Sequence, residues 1–346
     1  MSARWPPRTV LLLGGGLLLA AFAAASVRGA YAIPLRQLLQ VVLDLASGQA
    51  QATPEHQVFV NIRLPRLLLG VAAGAGLALA GALLQGLFRN PLADPGLIGI
   101  SGGAALAAGA AIVVGALWWP ALPRALGSWT LVATAFAGGL AATALIYVLA
   151  QGEGGTRIGL MLLAGIAVNA LAGAGLGWLS FMATDEQLRN LQFWLLGSLG
   201  GARWSAVALV LAIVSIAGGA SYMRAAALNA IALGEDQAAL LGVDVEREKR
   251  LVVLVCALAV GAVTATTGII GFVGLVAPHW VRLVAGPDHR VVLPASALLG
   301  AALVLAADAV ARTLAQPAEL PLGVLTAFLG APLFLLMLRR FKERVA

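Results

Sequence analysis

The chain of 346 residues has little of what a soluble domain needs. Charged residues make up 11% of it, where soluble proteins carry about 25%. There is one cysteine, Cys256, so no intrachain disulfide is possible and thiol usage says nothing of the redox compartment. The only lysines are Lys249 and Lys342, preceded by Glu248 and Phe341. Neither completes the Gly-Lys-Ser/Thr end of a phosphate-binding loop, which excludes ATP hydrolysis by this chain. The glycine strings Gly14–Gly16 and Gly173–Gly177 lie in apolar runs without a βαβ context and read as packing features. Three histidines, His56, His279 and His289, fall on different segments with no ligand spacing, so no metal site is expected. The fifteen acids sit almost wholly in loops or at the ends of spans, which argues against a proton-driven carrier. Asp308 is the exception, and with Arg312 four residues on it reads as half of an ion pair. Ser101 and Ser198 have glycine-rich settings but no neighbouring His or Asp to act as a base, so no catalytic residue is expected.

What is present is apolar. Hydrophobic residues reach 61% and the mean hydropathy is +0.95. A chain of this length cannot hide that much apolar surface in water, so an all-α polytopic membrane protein is expected, with one transmembrane domain over 1–346. A spanning helix needs about 20 apolar residues, which leaves room for about ten. The expected spans are 9–28, 66–88, 97–117, 128–150, 158–183, 205–222, 250–267, 270–284, 292–313 and 322–339. The run 270–284 is short for a crossing and suits a half-helix beside a loop buried in protein. Val10–Val27, after Arg4 and Arg8, exceeds the roughly 7–15 residues of a signal-peptide core and reads as an uncleaved first helix. In the second span Gly70, Gly74, Ala78, Ala82 and Gly86 form a small-residue stripe at i, i+4. The stripe suits tight packing or the lining of a transport path equally. The net charge of +7 marks cytoplasmic loops rather than a nucleic-acid surface. With the N-terminus inside, fourteen of the 22 basic residues fall inside and eight outside, which puts both termini in the cytoplasm. Trp118, Trp119, Trp129, Trp194 and Trp204 cluster at the outer ends, as an interfacial belt does.

Four segments carry more detail. In Gly268–Asp308, glycines 268, 271 and 274 recur every third residue, which predicts one bare helix face, and the charged corner GPDHR predicts a tight turn at the membrane surface. TGIIGFVGL (267–275) faintly echoes PGLIGISGG (95–103), as inverted transporter halves do. In 225–248, Asn229 is expected to cap a short helix that Gly234 ends, Glu235 and Asp236 to begin a second, and Gly242 to end it. Between them Ala238, Ala239, Leu240 and Leu241 form an apolar knob with no membrane to enter. It either rests on the bilayer surface or plugs a groove on another protein. Arg63 and Arg66 in IRLPR, and Arg312 in ADAVAR, stand on the arginine-poor outer face, where they either snorkel or pair with carboxylates. In FRNPLADPGLIGISGG (88–103) two prolines bracket a turn, and Ser101, Gly102 and Gly103 open the next helix.

These strings closely resemble the permease subunits of the ATP-driven (ABC) importers for haem, iron–siderophores and vitamin B12, from IRLPR to ELPLGVLTAFLGAP (319–332). The resemblance implies a type II importer permease in the bacterial inner membrane, built as a homodimer with its path along the subunit interface. It implies two ATP-binding cassette subunits that bind the ATP and magnesium, and a periplasmic haem- or siderophore-binding protein; the permease itself takes no cofactor. By the same resemblance, Asn229, Gly234, Glu235, Asp236, Ala239, Leu240, Leu241 and Gly242 couple to the ATPase. Arg63, Arg66 and Arg312 grip acidic residues of the binding protein. Asn90 and Leu92 narrow the cytoplasmic end of the path, and Ile158 and Gly159 form another constriction. QLRNLQFWLLGSLGGARW (187–204) and QPAELPLG (316–323) are similar to the haem branch, so haem is the expected substrate, with siderophore and then cobalamin behind it. His279, considered as an axial ligand for an iron-porphyrin, reads better as an interfacial residue. The reading of a different class, an ion-coupled secondary transporter, would depend on ion gradients and not on nucleotide.

Overall fold

The apolar runs become helices because lipid leaves the backbone no partner but itself. The computed structural model describes residues 5–29, 33–48, 53–115, 127–315 and 318–345. Among them, seven helices are long and apolar enough to cross a membrane: α1 (Pro7–Val27), the run containing α4 (Leu64–Leu87), α6 (Trp129–Leu149), α7 (Ile158–Met182), α9 (Trp204–Met223), α12 (Val245–Thr267) and α14 (His289–Leu314). Three shorter apolar helices complete the set: α5 (Ile100–Val113), α13 (Val273–Ala285) and α15 (Leu322–Val345). The ten expected spans are all found, and Trp118, Trp119 and Arg124 lie outside the described residues.

Five short helices and one small hairpin lie between the expected spans. They are α2 (Leu35–Ser47), α3 (Pro54–Val58), α8 (Asp185–Leu195), α10 (Ala225–Ile231), α11 (Glu235–Leu240) and the antiparallel pair β1 (Gln151–Gly152) and β2 (Gly155–Thr156), of which only α10 and α11 match helices read from the sequence. Thr184 starts α8 with a full capping box: its hydroxyl accepts from the Gln187 amide, while the Gln187 side chain accepts from the Thr184 amide.

Helix α4 is the axis of the fold. It is wrapped by α14, α12, α13 and α9, and α14 also carries α1. The small-residue stripe explains how. Gly74 lies against the backbone of Gly300 on α14, and Gly81 against that of Gly274 on α13, so that a methyl group at either position would collide with main chain. The stripe is therefore buried packing within one subunit, and the path-lining alternative is corrected. Helices α5, α6 and α7 form a second group joined to the first through α12. The outward sides of α1, α6, α7 and α9 keep most of their apolar side chains exposed, as lipid-facing or subunit-facing helices do.

Two breaks interrupt the helices. At the first, the Asp94 carboxylate accepts from the Gly96 amide at 2.7 Å, a 3-10 turn spans Pro95–Ile98, and Gly99 at φ +77° turns the chain into α5. Burial pushes the Asp94 carboxyl above its usual range, against the opposing pull of the Gly96 amide. At the second, Gly268 (φ +72°) ends α12 and Phe272 (φ +65°) starts α13. The three glycines expected to form one helix face are divided between a cap, a loop and a first turn, so that reading is corrected; the half-helix is found. The end of α12 and the adjoining 196–198 turn are satisfied by neighbours. Thr267 O accepts from Ser198 N–H at 2.7 Å, and the adjoining carbonyls of Gly197 and Leu196 accept from Leu322 and Gly323 N–H at 2.9 Å each. The two breaks meet where Gly274 packs against the Pro95 ring. The single cysteine is fully buried, its thiol 3.6 Å from Ala80 O.

Candidate coupling, gating and docking sites

The bundle has two polar ends. At one end the π-turn Phe59–Arg63 leads into α4 and turns Arg63 inward. Its guanidinium donates to Ser26 O at 2.6 Å, and that of Arg312 donates to Ala25 O and Arg28 O at 3.2 and 3.1 Å. Both cations thus satisfy the last carbonyls of α1, where a helix dipole favours positive charge. Arg66 grips Asp308 through Nε and Nη2 at 3.0 and 2.9 Å, and reaches Glu319 through Nη1 at 2.9 Å. Asp308, 1% exposed, is held from its other side by Arg312 Nε at 3.0 Å. The expected i, i+4 pair exists, and Arg66 is its second cation. The three arginines expected to face a partner are turned into the subunit in this structure; only the Arg66–Glu319 pair reaches the surface. Trp204 marks the same end, its indole donating to Val60 O at 3.2 Å.

The opposite end holds the 225–248 segment. Gly234 at φ +133° separates α10 from α11, and Gly242 at φ +83° ends α11, as the spacing predicts. Ala238 is buried, whereas Ala239 is exposed, Leu240 is 88% exposed and Leu241 66%. Asp236 is exposed in the first turn of α11. Asn229 is not the expected helix cap. It lies inside α10, and its side chain bridges to the α13–α14 corner: Oδ1 accepts from His289 N–H at 2.9 Å, and Nδ2 donates to Asp288 at 2.7 Å. Asp288 in turn caps α14 by accepting from Arg290 N–H. Against a desolvation cost, those two bonds hold the Asp288 carboxyl below its usual range. Glu235 accepts from the buried Lys249 at 2.7 Å.

The four residues expected to form the gate flank this second end in the chain, in the turn after α4 and at the start of α7. Asn90 is exposed, and its Oδ1 accepts from Leu92 N–H at 3.0 Å to fix the turn after α4; Leu92 is half-buried. Ile158 and Gly159 open α7 directly after the hairpin, Ile158 half-buried and Gly159 exposed with no atom near its α-carbon face. The three histidines sit on α3, α13 and α14, and among the described residues no three His, Cys, Asp or Glu side chains group to hold a metal.

Three polar residues of this end carry no site role in the sequence reading: Lys249 and His289, both buried, and the half-buried Arg282. Lys249 and Arg282 count there as inside charges and His289 as one of three scattered histidines, and their nearness to the short-helix segment is the signal that marks them.

Residues 17–340 match the FecCD transport family. The chain is 42% identical over 346 residues to the hemin transport system permease protein HmuU of Yersinia pestis, covering 99% of each. It is 45% identical over 284 residues to the cobalamin import system permease protein BtuC of Halobacterium salinarum, covering 82% of this chain and 74% of the relative. It is 42% identical over 308 residues to the vitamin B12 import system permease protein BtuC of Vibrio cholerae, covering 88% and 89%. Its fold superposes with a TM-score of 0.83 on an inward-facing metal-chelate type ABC transporter, at 30% identity over 96% of this chain and 99% of that one.

Proposed function

The chain belongs to the FecCD transport family and is a multi-pass permease of an ABC importer; from that premise we propose that it carries haem across the inner membrane of a bacterium. The observation that supports haem is the full-length identity to a hemin permease, which extends over both polar ends and all ten apolar helices. In this reading two copies form the path, the end with α10 and α11 is cytoplasmic, and both termini lie there. Trp5, whose amide donates to Val284 O beside the α13–α14 corner, is consistent with that side for the N-terminus.

ATP and magnesium are held by two partner ATPases, and the free energy enters through contact with Asn229, Gly234, Glu235, Asp236, Ala239, Leu240, Leu241 and Gly242. Nucleotide can act on the path only by favouring one orientation of the dimer over the other. Exposed leucines between two glycine caps suit a groove on such a subunit, since they leave water when it docks. Asn90, Leu92, Ile158 and Gly159 close the cytoplasmic mouth. At the periplasmic end a binding protein docks on Arg63, Arg66 and Arg312. Arg66 is the accessible member, because a partner carboxylate can displace the exposed Glu319 without stranding a buried charge. The porphyrin passes without iron ligation, since His56, His279 and His289 lie on separate elements.

The relatives that import cobalamin favour a second substrate reading within the same machine. The test is ATP-driven uptake by the reconstituted complex in proteoliposomes, with haem, ferric siderophore and cobalamin in parallel. Haem uptake is expected; uptake of another chelate with none of haem overturns the substrate reading and leaves the permease intact.

A further inference from the structure

The proposed gate lies on two elements, the turn after α4 and the start of α7, and neither belongs to the 225–248 segment. Each is nevertheless joined to that segment through buried polar side chains of the helices between. The first connection runs through Lys249, which is 3% exposed. Its ammonium donates to Glu235 on α11 at 2.7 Å, to Glu246 at 2.9 Å and to the main-chain oxygen of Thr156 at 2.9 Å. All three of its protons are used. Glu246 also accepts from Thr156, from the amide at 2.9 Å and the hydroxyl at 2.7 Å. Thr156 closes the hairpin and stands two residues ahead of Ile158. If α11 shifts, the ammonium either follows Glu235 and takes Thr156 with it, or loses a partner while buried, which is costly.

The second connection runs through His289, also buried. Asn229 Oδ1 accepts from the His289 amide and lies 2.7 Å from ring Nδ1. An amide oxygen can only accept, so Nδ1 carries the proton and Nε2 is left as an acceptor. Arg282 fills it, donating from Nη2 at 3.1 Å, and the same Nη2 donates to Ala82 O on α4 at 3.0 Å. Three residues on, Gln85 O accepts from Asn90 N–H at 3.2 Å, so the last turn of α4 carries the gate turn directly. Gly86 is bare where the imidazole sits; a methyl there would collide with Nε2. Pro91 of the gate turn and Ala232 of the short-helix segment line one cavity of about 180 Å³, with Arg282 and His289 also in its wall. The polar link therefore passes around the cavity, and the cavity leaves the gate turn room to move.

We propose that Lys249 and the His289–Arg282 pair are positioning residues: two separate struts that carry displacement of the coupling segment to the two gate elements. The inference rests on the permease reading above. The test is the number of ATP hydrolysed per substrate moved by the reconstituted complex. It is measured with whichever of haem, ferric siderophore or cobalamin the wild-type complex transports, so that failure of the substrate reading and failure of the struts are read separately.

Lys249→Gln removes the three-way link. His289→Gln keeps an acceptor toward Arg282 and loses the Nδ1 donor, whereas His289→Asn keeps a donor toward Asn229 and loses the acceptor. Each is expected to co-purify with the ATPase and to raise the ratio roughly fivefold or more, the scale of a modest coupling energy. Lys249→Arg is expected to restore most of it. Lys249→Gln combined with His289→Gln should multiply the single effects, as independent links do. If Lys249→Gln does not assemble, Thr156→Val, which removes the hydroxyl that Glu246 shares with Tyr147 and Gln151, carries the same test, with Tyr147→Phe and Gln151→Ala as controls that leave the Glu246 bond in place. A ratio unchanged in these variants, or hydrolysis and transport falling in proportion with the melting temperature, overturns the proposal and leaves these residues a purely structural role.

Discussion

The two ends of the bundle hide opposite things. At the end of Arg63, Arg66 and Arg312, charge is turned inward: three guanidiniums surround Asp308 and the last carbonyls of α1, and Glu319 alone continues the network outward. At the other end, Lys249 and His289 are buried in hydrogen bonds and apolar side chains are turned out, with Leu233, Leu240 and Leu241 exposed. The first arrangement is complete within the chain, since Arg66 and Arg312 share Asp308 and the guanidiniums of Arg63 and Arg312 are met by carbonyls at the end of α1. The second is incomplete, because exposed leucines on a membrane protein's aqueous end gain only when something covers them. The difference teaches which end can be judged from the isolated chain and which needs the assembly.

That contrast breaks most sharply at Asp308. Asp308→Asn removes the buried carboxylate between Arg66 and Arg312 and leaves Arg66 only the exposed Glu319, and the expected loss is about 3–5 kcal/mol, the usual cost of removing one partner from a buried ion pair. Thermal unfolding of the detergent-solubilised permease checks it, and a melting temperature equal to wild type would contradict the inward reading of this end. Glu319→Gln touches the same network where water reaches it. An exposed pair contributes about 0–1 kcal/mol and less in high salt, so the shift should be small and should vanish as ionic strength rises. The smallest effect on the isolated chain belongs to Leu240→Asp, within about 0.5 kcal/mol either way, since nothing packs on an 88% exposed side chain. The same change should abolish co-purification of the ATPase by placing an unpaired charge in the contact. A variant that melts early on its own, or that still holds the ATPase, would erase the distinction between the ends.

The spans were legible because lipid imposes a length and a composition on them. The breaks were legible too: Pro95 with Gly99, and the glycines before Val273, mark where a helix cannot continue. The role of those glycines was not. Spacing by three predicts a helix face only if the chain is helical throughout, and here the Ser198 amide takes the Thr267 carbonyl while Gly268 and Phe272 turn to positive φ, so the stretch leaves the helix. Helix α8 could have been found from the Thr-Asp-Glu-Gln string at 184–187, which is a capping box. Helix α2 could have been found from Leu38 and Val41, the two buried positions of an amphipathic run. Asn229 was misjudged for a different reason. Its residue type suits a cap, but its partner lies sixty residues away at His289, and no local pattern encodes a contact of that range. Arg63 and Arg312 were likewise read from their side of the membrane, whereas their orientation is fixed by where α1 ends. Arg66 and Asp308 are 242 residues apart, and only the packing of α4 on α14 brings them together.

Cys256 offers a practical return. Its thiol faces the α4 backbone in a fully enclosed place, beyond the reach of maleimide or nitroxide reagents in the folded state. The wild-type chain is therefore expected to be silent toward thiol labels. Cysteines placed at the tip of α11 and beside Asn90, one pair per subunit, would report spectroscopic distances across the cavity without a cysteine-free background, and each turnover stage of the complex could be followed with the packing around Ala80 left as nature built it.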